Sequence, residues 1–202
     1  MSYKLRDGGT SKELHTAMTC GNVADHVDQV YSKLLGKIFG YDFIAYLQRQ
    51  RPGIWHSMMA AFIESKLKVT SETTGNVKIE VPERFKTYFE SMKEMEMGEA
   101  IKRSQIGGLK YIEPYLWVHA SIIRSLFKRI ISFIVRFIRG LLEIPDLANI
   151  KAIYMVGGFM ESDIVRKIVF DEFQDIPVLI PNQPSQAVSM CALLLGLESE
   201  GN

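Results

Sequence analysis

An α/β fold is what the sequence predicts, on three observations. After Pro145 the chain alternates strand and helix: an apolar strand at 150–156, a helix at 162–173, a strand at 178–180 and a helix at 186–197. The first of these strands enters its helix through Gly157-Gly158, a tight turn of the kind α/β units use. Upstream, amphipathic helices are interrupted by Val77-Lys78-Ile79-Glu80-Val81, whose strict apolar/charged alternation is that of a half-buried strand.

Each element has its own justification. Tyr3-Lys4-Leu5 is a short extended piece, Asp7-Gly8-Gly9 is turn chemistry, and 12–18 is the return strand of a hairpin, broken at Cys20-Gly21-Asn22. A helix starts near Asp25, with Val27, Val30, Tyr31, Leu34, Leu35 and Ile38 at helical spacing, and Gly40 ends it as a left-handed cap. A second helix carries Phe43, Ile44 and Leu47. Pro52 opens a third, as proline does in a first turn, with Ile54, Trp55, Met58, Met59 and Phe62 on its apolar face. The charged, Met-rich segment 85–97 reads as a helix and a loop, Gly107-Gly108 as a break, and 109–118 as extended pieces. The longest periodic segment, 120–142, has a wide apolar face and a narrow stripe of Arg124, Lys128, Ser132, Arg136 and Arg139; Pro145 stops it.

Composition narrows the function classes. With 47% hydrophobic and 23% charged residues, the 202-residue chain has the balance of a globular domain and excludes a disordered or collagen-like one. Lys and Arg number 24 against 23 Asp and Glu, so a net charge of +1 carries no global bias towards nucleic acid, and none is expected as a partner. Two cysteines, Cys20 and Cys191, make neither a disulfide framework nor a four-ligand zinc site. That usage and an N-terminus without the apolar core of a signal peptide lead us to expect a reducing, cytoplasmic setting.

Four constellations could carry chemistry. Val156-Gly157-Gly158-Phe159 runs an apolar strand into two glycines before a helix, where backbone can approach a ligand and N–H groups are unpaired; on pattern alone a plain strand–helix turn is an equally good reading. Glu64, Lys68 and Ser71 share one helix face and could hydrogen-bond a base and ribose, although a solvated Glu–Lys pair is the preferred reading by itself. Asp7-Gly8-Gly9-Thr10 reads better as a hairpin tip than as a phosphate loop, because the six residues before it are too short and polar for a buried strand. The basic helix 120–142 reads as a core helix with one solvated stripe; its charges exclude a membrane span, and membrane contact through this helix is the less favoured alternative and is not expected. His15, His26, His56 and His119 lack metal-ligand spacing, and His119 stands where it can cap the long helix.

Taken in order, the chain resembles the seventy-kilodalton heat-shock protein family, above all its divergent 12A/12B-type branch. The resemblance runs through Val27-Asp28, Lys37-Ile38-Phe39-Gly40-Tyr41-Asp42-Phe43-Ile44, Arg51-Pro52-Gly53-Ile54-Trp55, Phe62-Ile63-Glu64-Ser65-Lys66 and Ile79-Glu80-Val81-Pro82. It continues through Leu126-Phe127, Met155-Val156-Gly157-Gly158-Phe159-Met160-Glu161-Ser162, Ile180-Pro181 and Ala192-Leu193-Leu194-Leu195-Gly196-Leu197. It implies an actin-like (ribonuclease H-like) ATPase core lobe with an inserted helical subdomain: the second lobe only, with the core at 1–24 and 119–202 and the insertion at 25–118.

For ATP or ADP, the resemblance implies that Gly157, Gly158, Phe159 and Glu161 line adenine and ribose, with Ser185 nearby. Glu64, Lys68 and, more weakly, Ser71 would approach from the helical subdomain. The residues that organise Mg2+ and position the attacking water belong to the other lobe in this family, so Mg2+ is expected only with that lobe and hydrolysis is not expected from these residues alone. Client or co-chaperone proteins are the implied macromolecular partners. Leu67 at the family's basic position, Cys191-Ala192 in place of a Gly-Ala pair, and the reduced stretch 20–24 depart from the pattern. They motivate the alternative of a non-enzymatic interaction module that keeps the fold without nucleotide.

Overall fold

A computed structural model describes residues 2–5, 11–15, 23–147, 150–187 and 189. The elements run β1 (Ser2–Leu5), β2 (Ser11–His15), α1 (Val23–Phe39), α2 (Tyr41–Gln50), α3 (Pro52–Leu67), β3 (Asn76–Glu80), α4 (Glu83–Lys93), α5 (Met97–Ser104), β4 (Leu109–Ile112), β5 (Tyr115–His119), α6 (Ala120–Leu142), β6 (Ile153–Tyr154), α7 (Asp163–Glu172) and β7 (Val178–Leu179). This mixture of helix and sheet is compatible with the expected α/β class. The chain divides into two units, one of Met1–Val23, Ile130–Glu161 and Val165–Asn202, the other of Ala24–Arg129 and Ser162–Ile164.

In the second unit, α1 stops where Gly40 takes φ 95°, a value at which a side chain would be strained. Its N–H donates to the Gly36 carbonyl at 3.0 Å, closing the last turn. Phe85 and Phe89, one turn apart on α4, meet Phe39 and Phe43 edge-to-face at centroid distances of 5.0–5.5 Å, and all four rings are buried. Tyr31 stacks on Phe62 at 3.7 Å and joins α1 to α3. Beside them Lys66 bridges to Asp28 and lies 5.4 Å from the Phe62 ring centroid. Ser65 is buried in α3, its hydroxyl 2.8 Å from the Ala61 carbonyl and 3.0 Å from that of Lys78, which ties the helix to β3.

The sheet of this unit is antiparallel in the order β3-β5-β4. Ile79, Leu116 and Val118 point to its inner face and are fully buried. The outer face carries Lys78, Trp117 and Lys110 in one row and Glu80, Tyr115 and Ile112 in the next. The period of two thus separates an apolar from a polar and aromatic surface.

The segment 85–97, read above as a helix and a loop, is that: α4 runs to Lys93 and 94–96 is loop, but the helix α5 that follows was not expected. Glu94 takes a left-handed conformation, φ 48°, which ends α4, and Met97, Ala100 and Ile101 then start a new buried stripe as α5. The spacing of those three residues was the available signal.

In the first unit β1 and β2 pair antiparallel, Tyr3 opposite Glu13 and Lys4 opposite Lys12, as the hairpin reading expects; its turn at 6–10 and the stretch 16–22 lie outside the described residues. β6 and β7 pair parallel, Ile153 with Val178 and Tyr154 with Leu179, with α7 as the crossover. The strand expected to be buried at 150–156 is shorter and more open: Tyr154 is 72% exposed and Val156 46%. Strands of a parallel sheet are buried when neighbours and helices cover them, and among the described residues β6 pairs with β7 alone. Of the expected last helix, 190–197, including Cys191-Ala192, lie outside the described residues.

One substitution tests the α1–α3 contact. The Tyr31 ring is fully buried and its hydroxyl has no hydrogen-bond partner among the described residues, so burial holds its pKa well above the ordinary phenol value. Tyr31→Phe removes an unsatisfied polar group while keeping the stacked ring, so stability should be unchanged or rise by up to about 1 kcal/mol. A clear fall in the denaturant midpoint would mean that the hydroxyl has a partner.

Candidate functional site

The glycine turn is built by its neighbours. Gly157 takes φ 100°, and its N–H donates to the Pro184 carbonyl at 2.7 Å. The Met160 N–H closes back onto the Gly157 carbonyl at 3.0 Å, winding Gly158–Glu161 into a 3-10 turn, and Arg166 donates to the Met160 carbonyl. Met160 is buried beneath the turn, Phe159 is half-buried, and Gly158 and Glu161 are exposed. A helix does not follow directly, because α7 begins only at Asp163.

The two glycines serve different ends. Gly157 is required by its backbone angle. Gly158 is not in the left-handed region, and the nearest heavy atom to a Cβ placed there is that of Ser185, at 3.9 Å. Among the described residues nothing in the packing demands glycine at 158, so its missing side chain leaves open surface on the turn. Ser185, expected near the base, is brought beside it.

Glu64, Lys68 and Ser71 lie at the C-terminal end of α3 and just beyond it. Glu64 and Lys68 pair at 2.6 Å with both side chains more than two-thirds exposed. The Lys68 ammonium, chiefly through this hydrogen bond, holds the Glu64 carboxyl below the ordinary glutamate range. An exposed i,i+4 pair is weak enough for a ligand to displace. Because the folded-state pKa is lowered, the pair contributes above the ordinary glutamate pKa and is lost as pH falls through the lowered value. Carboxyl NMR should therefore show Glu64 titrating below the exposed glutamates, and Lys68→Ala should return it to their range; an unchanged midpoint in the variant would dismiss the pair.

Ser71 differs. Its N–H and its hydroxyl both donate to one oxygen of Asp163, at 3.0 and 3.2 Å. The hydroxyl is already engaged, and Asp163 is a participant that sequence reasoning missed. So is Ser162, buried at the start of α7 with no partner for its hydroxyl among the described residues. The sequence already places a helix start at Ser162; what it does not show is that this hydroxyl is buried and makes no capping bond among the described residues.

The other candidates resolve simply. The Ser121 N–H donates to Nδ1 of His119 at 3.3 Å, so this histidine caps α6. In the basic stripe, Arg124 donates to the Thr73 carbonyl at 2.6 Å and Arg139 pairs with Glu172 at 2.5 Å. Among the described residues no helix is long and apolar enough to cross a membrane, and no group of three His, Cys, Asp or Glu residues could hold a metal ion. Asp7-Gly8-Gly9-Thr10 lies outside the described residues.

Comparison with known proteins bears out the resemblance to seventy-kilodalton heat-shock proteins. The chain is 29% identical over 192 residues to Heat shock 70 kDa protein 12A of Mus musculus, which is 94% of this chain and 28% of that protein. It is 29% identical over 191 residues to Heat shock 70 kDa protein 12B of Homo sapiens, 93% of this chain and 28% of that protein. It thus spans under a third of the length of these relatives. No family model and no solved structure matches it.

Proposed function

We propose that the chain is an adenine-nucleotide-binding lobe of the actin-like ATPase type, which does not hydrolyse ATP with these residues alone. The observation that carries this reading is the open turn at Gly157-Gly158, where Gly158 lacks a side chain that the protein itself has room for. Likeness to heat-shock proteins along nearly the whole chain supports it. Gly157, Gly158, Phe159 and Glu161 would line adenine and ribose. Glu64 and Lys68 would supply the contacts that the resemblance implies, with Ser71 contributing only after releasing Asp163.

The missing Cβ at Gly158 admits the flat base. Bound ATP would bring the triphosphate and its charge; without the groups that the family places in its other lobe, the clamp on the transferred phosphoryl is incomplete. Isothermal titration with ATP and ADP tests the proposal. Saturable binding of both, without phosphate release, is expected; no heat at high micromolar protein would overturn it in favour of a non-enzymatic interaction module.

A further inference from the structure

The outer face of the β3-β5-β4 sheet has a composition that nucleotide binding at the glycine turn does not use. Successive outward positions of the central strand β5 are Tyr115, Trp117 and His119, all aromatic and all half-exposed. The strand on each side places a lysine opposite Trp117: Lys78 on β3 and Lys110 on β4, both exposed. The Lys78 ammonium lies 4.7 Å from the Trp117 ring centroid and 5.7 Å from that of Tyr115, so a positive charge sits over both π faces. The opposite face of the strand, Leu116 and Val118, is fully buried and accounts for folding. The aromatic row lies on the other face and is half-exposed, with the Nε1 edge of Trp117 buried.

We propose that this face binds single-stranded nucleic acid: two neighbouring bases displace the Lys78 ammonium from Tyr115 and Trp117 and stack there, while Lys78 and Lys110 meet the phosphates. Residues i and i+2 of a strand are about 6.6–6.8 Å apart, a step that matches the advance of an extended single strand by one nucleotide. Stacking tolerates any base, and flanking cations track the backbone. Glu80 and Ile112 share the Tyr115 row, so phosphate contact concentrates on the Trp117 row, where the lysines are. The net charge of +1 reflects the whole chain; this row carries two cations and no carboxylate. An acidic peptide would satisfy the lysines but leave the two rings without stacking partners, which is why the nucleic acid is favoured.

The experiment is fluorescence anisotropy of labelled oligo(U) with the 202-residue chain. Saturable binding is expected, with Trp117→Ala weakening it about tenfold, in line with loss of one stacked base. The double variant Lys78→Glu/Lys110→Glu, at two exposed positions, should reduce the slope of log K against log salt by about 1.4, two phosphate contacts at about 0.7 each. Circular dichroism of each variant separates misfolding from lost contact, and the lysine pair decides the matter if Trp117→Ala is unstable. Absence of binding at high micromolar protein, binding indifferent to the lysine pair, or equal competition by poly-glutamate would each overturn the proposal. Because no residue of the glycine turn is involved, these outcomes are independent of ATP titration.

Discussion

Phe85→Ala should cost about 3–5 kcal/mol, the largest loss of stability among the changes considered. The ring is fully buried and lies edge-to-face with Phe39 at 5.5 Å and Phe43 at 5.3 Å. Its removal takes away the transfer energy of a phenyl group and leaves a cavity between α1, α2 and α4 whose other walls are rigid rings. Rings cannot collapse into such a space as flexible side chains can, so the cost belongs at the upper end. Denaturant unfolding followed by tryptophan fluorescence reads this directly, because both tryptophans, Trp55 and Trp117, belong to the same unit as Phe85. A loss under about 1 kcal/mol would mean that the four phenylalanines do not form a packed core.

Gly158→Val should weaken ADP binding by about tenfold or more, equivalent to about 1.4 kcal/mol, with little change in the unfolding midpoint. The stability half of this expectation rests on geometry: the backbone is outside the left-handed region, and the nearest neighbour to a new Cβ is 3.9 Å away. The binding half rests on the proposed position of the base. Gly157→Val provides the contrast, since at φ 100° any side chain is strained and about 1–3 kcal/mol of stability should be lost with or without ligand. If Gly158→Val binds ADP as tightly as the unaltered chain, the turn is a plain connection and the proposed site is wrong.

Much of the architecture was legible because local rules sufficed. Gly40, Pro52 and the apolar spacing of 120–142 marked helix ends and extents that backbone chemistry alone decides. The alternation at Val77–Val81 likewise announced a strand with one wet face. α5 was missed because its buried stripe, Met97, Ala100 and Ile101, is short and set among charges, and a pattern of three residues stands out only when the surface it packs on is known. The expected burial of 150–156 failed for a related reason: hydrophobic sequence reports what a strand would bury, and pairing decides how much is covered. At the candidate site the glycines and Glu64, Lys68 and Ser71 were legible from motif and resemblance. The capture of Ser71 by Asp163 was not, because the two residues are 92 positions apart.

The sequence by itself determined a mixture of helix and strand compatible with the α/β class, the likeness to heat-shock proteins and the residue types proposed to meet a nucleotide, since composition, periodicity and glycine chemistry act over a few neighbouring residues. Only the tertiary structure decided which of those residues are free to act. It separated the glycine required by a backbone angle from the one that leaves open surface, showed a serine hydroxyl already bound to a carboxylate, and set two lysines on either side of a tryptophan. Each of these depends on which distant segments meet, and that follows from burial of the whole apolar surface at once, which no local window of sequence contains.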